Sequence, residues 1–214
     1  MTSTAYWFDL DGTLIGYERT FEALLEDCLG DEQPTAVHET YRREIFTALE
    51  GIEDAPYVRA FSALADEHGL AIDAAETARA FRERELAATV IVPGAREVLS
   101  ATASTSPVGI LTNGDGEMQR AKLHRHGLDE LVEAVVISNE VGVRKPAPGI
   151  FDIARERLPA DSHVYIGDTY EEDVAGATDA GFAAIHVRND DGPAVSVDTI
   201  ASLGLLRSDP VDTH

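Results

Sequence analysis

At 214 residues the chain can fill one good core, and its 44% apolar content supplies that core without any run of membrane-spanning length. A formal charge of -22, from 39 acids against 17 bases, works against nucleic acid and anionic membrane surfaces; spread along the whole chain, it suits molar salt, where the screening length falls to about 3 Å. The lone Cys28 excludes an internal disulfide and the start MTSTAYWFDL lacks a basic flank and a small-residue cleavage site, so the expected setting is a soluble, cytoplasmic one.

The first apolar run, TAYWFDL, predicts a strand that stops at two carboxylates, Asp9 and Asp11. Strand side chains alternate, so both project to one side, and two anions held that close repel. A divalent cation, a shared proton, or both would reward the arrangement. From about Ile15 to Val92 the pattern reads as helices only, with no strand candidate: TFEALLEDCL, VHETYRREIFTALE, YVRAFSALADEHG and ETARAFRERELAA carry apolar positions three and four apart. Such an interval is too long for a connection and reads as a helical subdomain, residues 16–92, inserted after the first strand. VPGAREVL returns the chain to the sheet through a Pro93-Gly94 turn. The runs VGILTN, AVVIS, HVYIGD and FAAIHV then alternate with the helical patterns EMQRAKLHRHGL, GIFDIARERL and EEDVAGATDAG. The predicted class is therefore α/β: a Rossmann-like parallel sheet with helices on both faces (residues 1–15 and 93–207), plus the insertion and a loose tail at 208–214.

Open parallel sheets place ligands beyond the carboxyl ends of their strands. Asp9 and Asp11, Thr112-Asn113-Gly114, Ser138 and Gly167-Asp168 fall at such ends, with Lys145 a short loop after the third. Three or more carboxylates, a hydroxyl, a fixed cation and backbone amides suit a magnesium ion and a phosphoryl group better than an apolar ligand. Lysine at 145 is itself informative, because Lys122 is the only other lysine in a chain that otherwise uses arginine. A calcium loop is excluded: counted from Asp9, its twelfth position is Thr20, and counted from Asp11, Thr13 and Ile15 are unsuitable ligands. A dinucleotide loop at Gly114-x-Gly116 fails because Gln119 holds the third glycine position.

Four stretches, DLDGTL (Asp9 to Leu14), LTN (Leu111 to Asn113), RKPAPGIF around Lys145 and GDTYEED (Gly167 to Asp173), resemble in this order the haloacid dehalogenase superfamily, most of whose members are magnesium-dependent phosphohydrolases. The resemblance implies that Asp9 is a nucleophile forming an aspartyl-phosphate and Asp11 the general acid and base, with Thr13 holding Asp11. It implies that Thr112 and the amides of Asn113 and Gly114 grip phosphoryl oxygens, and that Lys145 supplies positive charge to phosphate and nucleophile. Magnesium would sit between Asp9, the Asp11 backbone carbonyl and Asp168, with Asp173 acting through water or by orienting Lys145. The helical insertion matches a cap in place and kind.

The expected activity is hydrolysis of a small organic phosphomonoester, phosphoglycolate phosphatase-like or nucleotidase-like, with a small phosphorylated metabolite as the partner. SNEVGVRKPAPGIF also looks like the branch that contains haloacid dehalogenases. Halide leaves as a stable anion and needs no proton, so the presence of Asp11 favours a phosphate ester. A phosphomutase shares the same intermediate and stays open. A phosphate-accepting receiver would draw its acid pair and its phosphorylated aspartate from different strands, and intact Asp9, Asp11, Lys145 and Asp168 argue against an idle binding protein. In the insertion, Tyr41, Arg42 and Arg43 could meet the substrate body, as could Tyr17 and Arg19, although an ordinary helix surface explains them as well.

Overall fold

Residues that alternate sides along short apolar strands build the centre of the molecule. The computed structural model describes residues 3–30, 33–187 and 196–197; the expected loose tail at 208–214 lies outside them. In chain order the elements are β1 (Thr4–Phe8), β2 (Ile15–Tyr17), α1 (Phe21–Leu29), α2 (Thr35–Glu50), α3 (Pro56–His68), α4 (Ala74–Ala87), β3 (Thr89–Ile91), α5 (Ala95–Ala103), β4 (Val108–Thr112) and α6 (Gly116–Arg125). There follow β5 (Ala134–Ile137), α7 (Ser138–Val141), α8 (Pro148–Arg157), β6 (Ser162–Gly167), a π-helical turn (Tyr170–Ala175), α9 (Gly176–Asp179), β7 (Ala183–Val187) and β8 (Ser196–Val197).

Six strands pair in the order β5-β4-β1-β6-β7-β8, every neighbour parallel. Period-two alternation divides their side chains between two apolar clusters. Phe8, Ile110 and Ile166 face one way, against Val98 and Leu99 of α5 and Leu123 of α6. Trp7, Leu111 and Tyr165 face the other, against Ile150 and Phe151 of α8. Both faces are covered, which is why the strands read as nearly unbroken apolar runs. The five strands expected from the sequence form this sheet, and β8 adds a sixth at the edge.

Helices α1 to α4 bury a third cluster of their own, centred on Tyr41, Phe61 and Phe81, which also takes in Met118 from α6. Side-chain caps start the helices cleanly: Thr20, Asp73 and Asp115 accept the Ala23, Glu76 and Met118 amides at the N-termini of α1, α4 and α6.

The interval from Ile15 to Val92 is not helical throughout. β2 and β3 pair antiparallel, Ile15 opposite Ile91 and Tyr17 opposite Thr89. Each strand has three residues, too few to show a period of two, and their partners lie far apart in sequence, so local pattern does not reveal them. This ribbon carries the chain from the sheet into the helices and back.

Candidate active site

β1 hydrogen-bonds β4 on one side and β6 on the other, so the loops that leave these three central strands share one rim. Asp9 follows β1, and its amide donates to the Ile166 carbonyl at 2.8 Å, fixing the residue against the end of β6. Lys145 reaches it from the loop after α7. The ammonium has three protons and three acceptors: Asp9 Oδ1 at 2.7 Å, Asp173 Oδ1 at 2.6 Å and the Tyr165 hydroxyl at 2.7 Å. The Tyr165 hydroxyl in turn donates to the Leu111 carbonyl at 2.7 Å. Lys145 is thus fully engaged by Asp9, Asp173 and Tyr165. Burial opposes that charge, but Asp173 and Asp9 hold the ammonium above the ordinary lysine range.

Asn113 fixes the position of Lys145. Its side-chain carbonyl accepts the Lys145 amide at 2.9 Å, and its amide nitrogen lies 3.1 Å from the Lys145 carbonyl and 2.7 Å from Glu172. The Gly114 amide, expected to face phosphate, donates instead to Ser138 Oγ at 3.0 Å. Thr112 is buried, with its hydroxyl donating to the Asn113 carbonyl and accepting from Gln119. These three residues therefore stand at the rim with most of their polar capacity already committed within the protein.

The acid cluster consists of Asp9, Asp168 and Asp173, which offer oxygens within 4.8 Å of one another. Two glycines let the carboxylates approach so closely: a Cβ on Gly12, whose φ is +84°, would collide with Asp168, and one on Gly167 would collide with Asp173. The Thr169 amide fixes the second Asp173 oxygen at 2.9 Å. Thr13, expected to hold Asp11, donates to Asp168 at 3.1 Å instead, because the Gly12 turn carries it toward β6. Burial, together with Asp173 and Asp168, pushes the Asp9 carboxyl well above its ordinary range despite Lys145, and burial and Asp173 raise Asp168. Three carboxylates against one ammonium leave an excess of negative charge, and an all-oxygen donor set of this kind fits a hard divalent cation.

The Asp11 carboxylate is not part of that cluster. It bonds Lys122 Nζ through both oxygens, at 2.9 and 3.0 Å, and also Gln119 at 2.8 Å and the Tyr17 hydroxyl at 2.9 Å. Burial works against the charge, but Lys122 and these hydrogen bonds outweigh it and keep Asp11 below the usual carboxylate range. Lys122 Nζ also lies 3.6 Å from Glu85 of α4, whose oxygens meet the hydroxyls of Tyr17 at 3.3 Å and Tyr57 at 2.8 Å. Burial raises the Glu85 carboxyl even so. The reward for placing two acids after one strand is thus a separate lysine for each of them.

Lys122, Gln119 and Glu85 are the residues that sequence reasoning passed over. The scarcity of lysine that singled out Lys145 applies equally to Lys122, and Gln119 lies three positions before it on the same helical face. Of the residues expected to meet the substrate body, Tyr17 reaches Asp11. Arg19 pairs with Asp27, and Arg43 with Glu44 and Glu67.

With these strand ends in place, the family model for haloacid dehalogenase-like hydrolases matches residues 4–181. The chain belongs to the haloacid dehalogenase-like hydrolase family. It is 43% identical over 95 residues to pyrimidine 5'-nucleotidase YjjG of Escherichia coli strain K12, covering 43% of this chain and 42% of that protein, so the match spans less than half of that relative. The magnesium-bound HAD-hydrolase YfnB of Bacillus subtilis superposes with a TM-score of 0.75 at 22% identity, covering 96% of this chain and 99% of that one, a likeness of fold. A 2-haloacid dehalogenase from Pseudomonas syringae pv. Tomato DC3000 superposes with a TM-score of 0.72 at 25% identity, covering 97% and 99%. Among the described residues no helix is long and apolar enough to cross a membrane.

Proposed function

We propose that this hydrolase removes phosphate from a small organic phosphomonoester, with magnesium as cofactor, Asp9 as nucleophile and Asp11 as general acid and base. The observation that carries the reading is the investment in Asp11: Lys122, Gln119 and Tyr17 all hold its carboxylate. A dehalogenase expels halide without a proton and has no task for this group. The shared fold of the Pseudomonas syringae enzyme fits either chemistry, since fold alone does not decide between leaving groups.

The Asp9 oxygen not bonded to Lys145 attacks phosphorus in line. The P–O ester bond breaks toward the alcohol oxygen, which takes a proton from Asp11, and Asp9 carries the phosphoryl group. Water then attacks phosphorus and gives its proton to Asp11, and the P–O bond to Asp9 breaks with its electron pair returning to the carboxylate. The sum is ester plus water giving alcohol plus phosphate. Lys122 and the hydrogen bonds to Asp11 favour its carboxylate, the form the second half needs; an arriving phosphate dianion raises its proton affinity for the first half. A divalent ion held by Asp9, Asp168 and Asp173 would supply positive charge that offsets both the acid cluster and the phosphoryl oxygens. Residues 16–92 serve in this reading as the cap over the site, and residues 1–15 and 93–207 as the catalytic core.

The test is release of free phosphate from a panel of esters, at low and at molar salt, with magnesium and then with chelator. Magnesium-dependent release, together with a phosphate adduct on the Asp9 peptide, is the expected result. Chloride release from 2-chloropropionate without turnover of any ester would replace this reading with the dehalogenase.

A further inference from the structure

Among the described residues the buried acids are Asp9, Asp173 and Glu85, and the reaction above uses only the first two. Glu85 is 3% exposed and belongs to α4, in the inserted helices, yet it meets the group that holds Asp11. Its Oε1 lies 3.3 Å from the Tyr17 hydroxyl and 3.6 Å from Lys122 Nζ, and each of these lies 2.9 Å from Asp11 Oδ1. Its Oε2 accepts from the Tyr57 hydroxyl at 2.8 Å. The chain is fastened to α6 on either side of Glu85: Arg82 bonds Glu117 at 2.9 Å, and Thr89 Oγ1 lies 2.8 Å from His126 Nε2. Lys122 stands between Glu117 and His126, so these two bonds hold Glu85 and Lys122 against each other.

Tyr17 has one hydroxyl proton and two carboxyl oxygens within reach, Asp11 Oδ1 and Glu85 Oε1. With both acids ionised, one of those oxygens would face the lone pairs of the phenol with no proton between them, a costly arrangement away from water. Lys122 does not relieve it, because its short bonds go to the two oxygens of Asp11 and 3.6 Å is too long for a third. A proton on Glu85 Oε1 does: the carboxyl donates to the Tyr17 oxygen, Tyr17 donates to Asp11, and Glu85 Oε2 still accepts from Tyr57. Burial first, and the charge of Asp11 with it, push the Glu85 carboxyl above its ordinary range against Lys122 and the two phenols. The titratable groups around Glu85 are thus Tyr57 of α3, Tyr17 of β2, Lys122 of α6 and, beyond Tyr17, Asp11, with Tyr41 of α2 also within reach of its charge.

We propose that Glu85 stands as the neutral acid and is a positioning residue for Asp11, turning the single proton of Tyr17 onto Asp11 so that the inserted helices help to hold the general acid and base at the departing alcohol. The proposal rests on the phosphatase reading and adds to it a part played by α4.

Benzyl phosphate and p-nitrophenyl phosphate are the probes, since they are alike in size and differ in their need for a proton: the benzyl oxygen leaves as the alcohol, whereas nitrophenolate leaves as a stable anion. The readout is the ratio of their kcat/KM values, benzyl over nitrophenyl, which reports the breaking of the ester bond. E85A and Y17F should each lower that ratio at least about tenfold, the worth of one hydrogen bond to a charged group, and the double substitution should lower it no further. E85Q should restore the parent ratio, because its amide can donate to Tyr17 while its carbonyl accepts from Tyr57. Y17F keeps the ring that packs on Phe21 and carries the test if E85A loses its circular dichroism signal. A ratio that stays at the parent value in Y17F and E85A, whether activity falls equally on both esters or not at all, makes Glu85 a structural brace; it overturns this inference and leaves the phosphatase reading standing. A loss in E85Q as large as in E85A points to a carboxylate paired with Lys122 and overturns the neutral-acid assignment. A parent that releases phosphate from p-nitrophenyl phosphate but not from benzyl phosphate overturns the inference through Asp11, which would then protonate no leaving group. No phosphate from these or any other ester overturns the phosphatase reading and this inference with it.

Discussion

Lys145 and Lys122 are the two lysines of the chain, both are buried, and each bonds one of the two aspartates that follow β1, yet they stand in opposite electrostatic situations. Around Lys145 three carboxylates crowd a single ammonium, and burial together with mutual repulsion lifts the proton affinity of Asp9 and Asp168. Around Lys122 the acids are Asp11 and Glu85, one pushed low and the other high, with neutral donors from Gln119, Tyr17 and Tyr57. The first group carries more negative charge than its single ammonium offsets. The second holds one carboxylate, that of Asp11, through a lysine, an amide and a phenol.

The largest effect separating the two should come from Asp9→Asn, which ought to lower kcat by about 10⁴-fold or more with the fold retained by circular dichroism. Lys145→Met should follow: it leaves Asp9 and Asp173 without their common partner, a change of the kind that costs about 3–5 kcal/mol, and a shifted magnesium titration should accompany the loss of stability. Lys122→Met should reduce kcat by about 10²–10³-fold while calorimetric magnesium affinity stays at the parent value. Equal effects of both substitutions on magnesium binding would merge the two sites into one.

Acid dependence sharpens the contrast. Asp9 and Asp168 have folded pKa values above their unfolded ones, so their contribution to stability is complete below about pH 4 and is lost as pH rises through the raised values. Asp11 runs the other way: its contribution is present above about pH 4 and is lost as pH falls through the depressed value. In chelator, the melting temperature should therefore fall less steeply between pH 4 and neutrality in Asp168→Asn than in the parent, and magnesium should flatten the parent curve; identical slopes would refute the crowded-acid account. The smallest effect belongs to a surface pair. Arg79→Ala breaks an exposed bond to Glu83 on α4 and should leave both kcat and melting temperature essentially unchanged.

Much of this was legible in the residues themselves. The strands are short, apolar and punctuated, so the sequence alone puts Asp9, Thr112, Lys145 and Asp168 at one rim. The Lys122 group was not, because its members come from a loop, a ribbon and three helices, each ordinary when read locally. Glu85 sits in ETARAFRERELAA among exposed acids, and nothing nearby in sequence reports that Tyr57, 28 positions earlier, meets it. In sequence Gln119 stands out only as the residue where a dinucleotide loop would have its third glycine, although its amide lies within hydrogen-bond distance of Asp11, Thr112 and the Asn113 carbonyl. Committed polar groups were equally hidden: the Gly114 amide is spent on Ser138, a partner 24 residues away.

The ribbon of β2 and β3 sets entry and exit of the helical part side by side, Tyr17 facing Thr89. Those two positions form a natural splice point, where a two-residue Asn-Gly connection could close the strands into a hairpin in place of everything between. A protein pruned there would keep the parallel sheet and its acid cluster but lose Glu85 and the cluster around Tyr41, Phe61 and Phe81, leaving a bare scaffold onto which other modules could be grafted.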